Sequence, residues 1–212
     1  MAVHVDRDDR LWVGTRNGGL DRLDPETGLF DHYRHDLSTP NSLSSNSVTS
    51  IHSDGNGIMW VGTYGGGGLN KADPRRTRFR HYRCHPDDPR SLCHGIVWSM
   101  WEDREGILWV GTDGGLDRID RQRDEITHFL ADPADPRALG HPGVRVVYES
   151  PSGTLWAGTN GGLYRLDRDD GTFERFVHDP GDPASLSHDE IRSLHEDASG
   201  ALWIGTLGGG VC

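Results

Sequence analysis

The sequence is short of the residues that build large cores, disulfide frameworks and membrane spans. Of its 212 residues, 33% are hydrophobic, 8% are aromatic and three are cysteine. Cys84 and Cys93 flank one loop and could pair in an oxidising compartment, but they occur in one copy of a repeat, so free or incidental thiols are favoured for them and for Cys212. No apolar run reaches the length of a transmembrane helix, and the first residues do not resemble a signal peptide.

Basic residues are also scarce. The chain has 22 Lys and Arg against 33 Asp and Glu, which gives a formal net charge of −11. Because an acidic surface repels phosphate backbones, nucleic-acid binding is disfavoured. The G-x-S-x-G, H-E-x-x-H, P-loop and Cys/His zinc motifs are missing as well. We therefore predict no catalytic residue, no metal and no cofactor, and we expect any kinase or cyclase activity to lie outside this chain.

What the sequence does contain is a repeat centred on Leu-Trp-Val-Gly-Thr. The tryptophans of its five copies are Trp12, Trp60, Trp109, Trp156 and Trp203. Their spacings of 48, 49, 47 and 47 residues indicate one structural unit copied with little change. We expect these side chains to fill the gaps between adjacent units.

Each full unit contains four short segments with strand character. The first two are joined by an Asp-x-x-Gly turn, glycines follow the Leu-Trp-Val-Gly-Thr strand, and a long Asp- and Pro-rich loop leads to the next unit. Four antiparallel strands in about 48 residues are typical of a β-propeller blade. The sequence thus predicts an all-β fold.

The predicted fold is a single propeller domain over residues 1–212. Its units span approximately 1–47, 48–96, 97–143, 144–190 and an incomplete 191–212. The last unit supplies a pair of inner strands, so we expect about four and a half blades in a partial propeller. Closure as an irregular five-bladed ring is the alternative.

Two stretches resemble a known family. Val97 to Leu116 and Ile191 to Gly210 are similar to the two-component regulator propeller repeat, V-x-x-I-x-E-D-x-x-G-x-L-W-V-G-T-x-G-G-L, and Ser42 to Asn46 are similar to its D-P-x-x-S-L-S loop. The resemblance implies a seven-bladed ring and the extracytoplasmic sensor region of membrane histidine kinases, often hybrid kinases. This chain is shorter than seven such blades, which favours a piece of a longer protein.

The resemblance also implies a function. It suggests a non-catalytic, ligand-sensing propeller in a periplasmic part of an inner-membrane sensor. The expected partners are a small-molecule or oligosaccharide ligand, the remaining blades and output domain of the parent protein, and a second copy in a homodimer. A propeller scaffold that binds other proteins and a propeller lyase remain as alternatives.

Candidate ligand-binding residues fall at three repeat positions near the loops that propellers use for binding. Two residues after the loop leucine come His94, His141 and His188, which could bind an anion or a metal, or hydrogen-bond to the loop backbone. After the Gly-Thr pair the residues vary: Arg16, Asn17, Tyr64, Asp113 and Asn160. Such variation suits recognition, and equally suits solvated turns.

The third position lies just inside the first strand of each unit. It holds Thr49, Trp98, Arg145 and Arg192. Trp98 could form a platform for a sugar ring or serve in packing, and the two arginines could bind a carboxylate or a sulfate.

Overall fold

A computed structural model describes residues 1–73 and 78–212. In this part of the chain the regular elements are β-strands, and every sheet pairs neighbouring strands antiparallel in chain order. The first sheet contains β1 (Ala2–Val5), β2 (Leu11–Gly14), β3 (Leu20–Leu23) and β4 (Phe30–Tyr33). The second contains β5 (Val48–Ser53), β6 (Met59–Thr63), β7 (Leu69–Ala72) and β8 (Phe79–Tyr82).

The remaining strands continue the same order. The third sheet contains β9 (Val97–Glu102), β10 (Leu108–Thr112), β11 (Gly115–Asp120) and β12 (Glu125–Leu130). The fourth contains β13 (Val144–Glu149), β14 (Leu155–Thr159), β15 (Gly162–Leu166) and β16 (Phe173–Phe176). The fifth contains β17 (Ile191–Glu196), β18 (Leu202–Thr206) and β19 (Gly210–Val211). The chain divides into two compact units, Met1–Met100 and Trp101–Cys212, and the boundary between them in the sequence falls within β9.

The blade count predicted from the sequence needs a correction. Four sheets have four strands, as predicted, but the described residues form a fifth sheet of three strands, where the sequence suggested a pair. The difference is β19, in which Gly210 and Val211 pair with Thr206 and Gly205 after the glycine turn. The structure therefore has five blades, the last of three strands, instead of four and a half.

The Asp-x-x-Gly turn between the first two strands has the conformation that its sequence predicts. Gly57 and Gly106 adopt φ values of 74° and 79°, which a residue without a Cβ reaches at low cost. In the first copy Asp9 takes the same place with φ 57°, as expected for one of the few non-glycine residues that tolerate it.

The leading aspartate of this turn has a second partner. Asp103 accepts hydrogen bonds through Oδ1 from the backbone N–H groups of Glu105 and Ile107, and through Oδ2 from the Trp109 indole at 2.8 Å. The same indole bond joins Asp6 to Trp12 and Asp197 to Trp203. One carboxylate thus fixes both the turn and the tryptophan that follows it by six residues.

The repeated tryptophans are core residues in both units. Trp12 and Trp109 are buried in clusters with apolar side chains of the neighbouring sheet, such as Val48 in the first unit and Val144 in the second. Each also lies against an aromatic side chain of the fourth strand, as Trp109 does with Phe129 at 5.8 Å between ring centroids. Trp156 is only partly buried, and Trp203 has half of its surface (50%) exposed.

Glycine in the Gly-Thr pair lets successive sheets approach closely. A Cβ placed on Gly158 would lie 2.6 Å from Cγ2 of Ile191 in the next sheet. The threonine beside it, Thr159, is fully buried and donates its hydroxyl to the Gly162 carbonyl at 2.9 Å, which holds the turn into β15.

The three cysteines are free thiols. No helix in the described ranges is long and apolar enough to span a bilayer.

Candidate functional site

The first strands of three sheets contain a β-bulge near their beginning. The register with the second strand shifts between Val48 and Ser50, between Val144 and Val146, and between Ile191 and Ser193. The extra residue at each bulge is Thr49, Arg145 or Arg192, all at the candidate inner-strand position. A bulge takes its residue out of the ladder and redirects its side chain, which is how these residues come to face a neighbouring sheet.

At three of the four inner-strand positions, those of Trp98, Arg145 and Arg192, the side chain contacts the variable residue after Gly-Thr of the preceding sheet. Tyr64 lies against Trp98 with ring centroids 5.8 Å apart and planes tilted by 58°. Asp113 forms an ion pair with Arg145 at 2.9 Å. Asn160 Oδ1 accepts a hydrogen bond from Arg192 at 3.0 Å. These contacts, which we call the junction pairs, join two sets of residues that the sequence presented as separate.

In the compact unit Trp101–Cys212 the two junction pairs are linked into one polar network. Asn160 Oδ1 accepts hydrogen bonds from both Arg145 and Arg192, each at 3.0 Å, and Arg192 also donates to Glu190 at 2.7 Å. Burial lowers the pKa of Arg145, against the opposing effect of Asp113. Each arginine has a carboxylate partner, so an incoming anion would have to compete with Asp113 or Glu190.

A double-mutant cycle on Asp113 and Arg145 should measure this coupling. Asp113→Asn and Arg145→Gln are each expected to lower the free energy of unfolding, and the combined variant should lose less than the sum, with a coupling of about 1 kcal/mol. The control is Arg165 and Glu174, whose ion pair is half exposed and should couple by less than about 0.5 kcal/mol. Equal coupling in both cycles would show that the junction pair has no special role.

The first junction is different, because its two variable residues do not pair. Arg16 is exposed, and its guanidinium has no hydrogen bond or ion pair with any described residue. Thr49 instead donates its hydroxyl to the Val97 carbonyl. Beside these residues lies a cavity of about 520 Å³. It is lined by Met1, Arg16, Ser47, Val48, Thr49, Tyr64 and Trp98.

The candidate histidines bind their own loops. The Nδ1 atoms of His94, His141 and His188 accept hydrogen bonds from the backbone N–H two residues later, at 3.0 to 3.1 Å. Ser45 does the same through its hydroxyl. Burial lowers the pKa of His141, which favours the neutral ring that this bond requires. The arrangement matches the loop role that the sequence offered beside ligand binding.

Two features that shape the candidate site were not identified from the sequence. The bulge leaves no clear signal in an alternating strand pattern, so the contact between the two variable positions could not be foreseen. Ser47 was not a candidate, yet its hydroxyl donates to the Arg16 carbonyl and lies 3.5 Å from Asn17 Oδ1. Asn17 itself does not line the cavity.

Comparison with known families supports the repeat resemblance. Residues 42–65 and 185–208 match the two-component regulator propeller family, so the chain carries repeats of this type. No curated protein sequence matches the chain.

Solved structures show the same fold. The extracellular domain of the hybrid two-component system BT4673 from B. thetaiotaomicron has a TM-score of 0.81 at 24% identity, over 99% of this chain and 26% of that one. The corresponding domain of BT3049 has a TM-score of 0.71 at 25% identity, over 99% and 32%. Virginiamycin B lyase from Staphylococcus aureus has a TM-score of 0.67 at 14% identity, over 100% and 68%. This chain is thus a β-propeller that spans about a quarter to a third of the length of the two-component neighbours.

Proposed function

We propose that this chain, with its two-component regulator propeller repeats, is part of the ligand-sensing region of a two-component sensor of the histidine kinase type. The observation that carries the proposal is the cavity beside the first junction, to which Tyr64 and Trp98 of the next junction contribute aromatic walls. A volume of about 520 Å³ suits a small molecule, since ligand pockets usually enclose about 300–1,000 Å³.

The residues around this cavity differ from those at the equivalent positions of the other junctions. At the junctions after Asp113 and Asn160 the variable side chains use their polar groups on each other. At the first junction Arg16 and Thr49 do not pair with each other, and a cavity lies beside them. A rigid repeat with one open junction is suited to ligand recognition, because the surrounding sheets hold the walls in place.

The protein around this chain would convert binding into a signal. By analogy with the extracellular domains it resembles, the chain would lie in the periplasm, and binding would shift the population of arrangements in a homodimer that includes further blades and an output domain. The chain itself would contribute recognition and no catalysis.

A thermal-shift screen of small molecules, oligosaccharides included, tests the proposal. Compounds that raise the melting temperature of the 212-residue chain should lose this effect in Trp98→Leu, because the substitution removes one aromatic wall of the cavity. The matched control is Trp203→Leu, since Trp203 does not line the cavity and is half exposed. Compounds that stabilise Trp98→Leu as strongly as the unmodified chain would contradict the assignment of the site.

A further inference from the structure

We infer that the cavity at the first junction takes a small anion with a flat apolar body, an aromatic carboxylate, and that Arg16 provides its countercharge. The inference rests on the proposed function, because it names the ligand class for the same cavity. Three properties of the cavity walls support it: the charge, the aromatic surface and the state of the hydroxyl groups.

The charge of the cavity is opposite to that of the chain. Its lining includes Arg16 and no aspartate or glutamate, although the whole chain has a net charge of −11. In another cavity an arginine of the lining is paired with an acid of the same lining. This cavity, of about 320 Å³, is lined by Arg10 together with Asp6, and these two side chains form an ion pair at 3.0 Å.

Arg16 is therefore a cation without a carboxylate partner in the part of the chain that the structure describes. Its backbone is held by the Ser47 hydroxyl, which donates to the Arg16 carbonyl, so the residue is anchored while its side chain remains exposed. A guanidinium binds a carboxylate through two parallel N–H···O bonds, and this geometry gives both affinity and orientation.

The other walls favour a flat apolar body. Tyr64 and Trp98 present rings tilted by 58° to each other, and Val48 adds an aliphatic surface. The hydroxyl groups of Ser47 and Thr49 already have partners, because Ser47 donates to the Arg16 carbonyl and Thr49 to the Val97 carbonyl. A neutral sugar would have to replace these bonds to use either hydroxyl, whereas an aromatic ring needs no hydrogen-bond donor.

Binding of matched acids and amides to the 212-residue chain tests the inference. Indole-3-acetate and 4-hydroxyphenylacetate, each with its uncharged amide, would be titrated by isothermal calorimetry. We expect each acid to bind about tenfold or more tightly than its amide, and Arg16→Gln to remove that difference. Arg90→Gln is the control, since it removes the same charge from an exposed loop residue that does not line the cavity. Trp98→Leu should weaken the binding of all four compounds.

The outcomes separate this inference from the proposed function. Equal affinity for acid and amide, or the same effect of Arg16→Gln and Arg90→Gln, would overturn the anionic ligand class. If Trp98→Leu still abolished binding in that case, the cavity would remain a ligand site. Failure of all four compounds to bind, or binding that Trp98→Leu leaves unchanged, would overturn the inference, and a screen without Trp98-dependent compounds would overturn the proposed function as well.

Discussion

Replacing Trp109 by alanine is expected to lower the free energy of unfolding by about 3–5 kcal/mol, the usual loss for a large buried aromatic side chain. Trp109 is 1% exposed and packs in the core cluster of the second unit, where it contacts Phe129. Truncation would create a cavity that the flanking strands cannot close, and would leave the Asp103 carboxylate without its indole donor.

The same repeat offers a matched control for this experiment. Trp203 forms the same indole bond to its turn aspartate, at 2.8 Å, but half of its surface is exposed. Trp203→Ala should cost less than half as much, because less apolar surface returns to water. Urea unfolding followed by circular dichroism compares the two variants without relying on tryptophan fluorescence. Equal losses would show that the indole bond, and not burial, determines the role of these tryptophans.

Acidification is expected to destabilise the chain through Asp103. Burial acts to raise the pKa of Asp103, but hydrogen bonds from Trp109 and Arg168 outweigh it and hold the pKa below its usual value. A depressed folded-state pKa contributes stability above the unfolded pKa of about 3.9, and this contribution is lost as the pH falls through the folded value. The stability of the unmodified chain should therefore decrease below about pH 4.

Asp103→Asn isolates this contribution. An amide nitrogen in place of Oδ2 would face the Trp109 indole and the Arg168 guanidinium, and in place of Oδ1 it would face two backbone N–H groups, donor against donor in both cases, at a site that is 4% exposed. We expect a loss of about 3 kcal/mol at pH 7 and a shallower decrease of stability below pH 4. Asp169→Asn, which removes a carboxylate from an exposed turn, is the control. An unchanged pH profile in Asp103→Asn would contradict this role of Asp103.

Much of the fold could be predicted from the sequence because the pattern of each strand and turn recurs in several copies of the repeat. Alternation, turn residues and glycines agree from copy to copy, so a weak signal in one unit is strengthened by the others. In the third strands Leu20–Leu23 and Leu69–Ala72, for example, the glycines that precede the strand mark its start in both copies. The short β19 was missed because Gly210 and Val211 carry no alternation by which a strand could be recognised.

Some residues of the candidate site were among those singled out in the sequence, but their contacts could not be predicted. Tyr64 and Trp98 are 34 residues apart in the sequence, and their pairing depends on a sheet junction that no local pattern encodes. A bulge also shifts its residue out of the alternation by which strand faces are predicted, so the direction of Arg145 could not be deduced. The histidines illustrate the opposite case, in which a position that looked functional has a local backbone partner in every copy.

We propose that Trp98 recognises a ligand, while the repeated tryptophans hold the sheets together. The most direct test is ¹⁹F NMR of the chain labelled with 5-fluorotryptophan, which gives one resonance for each of the seven tryptophans. The Trp98 signal is identified by its loss in Trp98→Phe. We predict that ligands from the thermal-shift screen move the Trp98 resonance and leave those of Trp12 and Trp109 in place. Ligands that move the buried resonances and leave Trp98 unchanged would contradict the account.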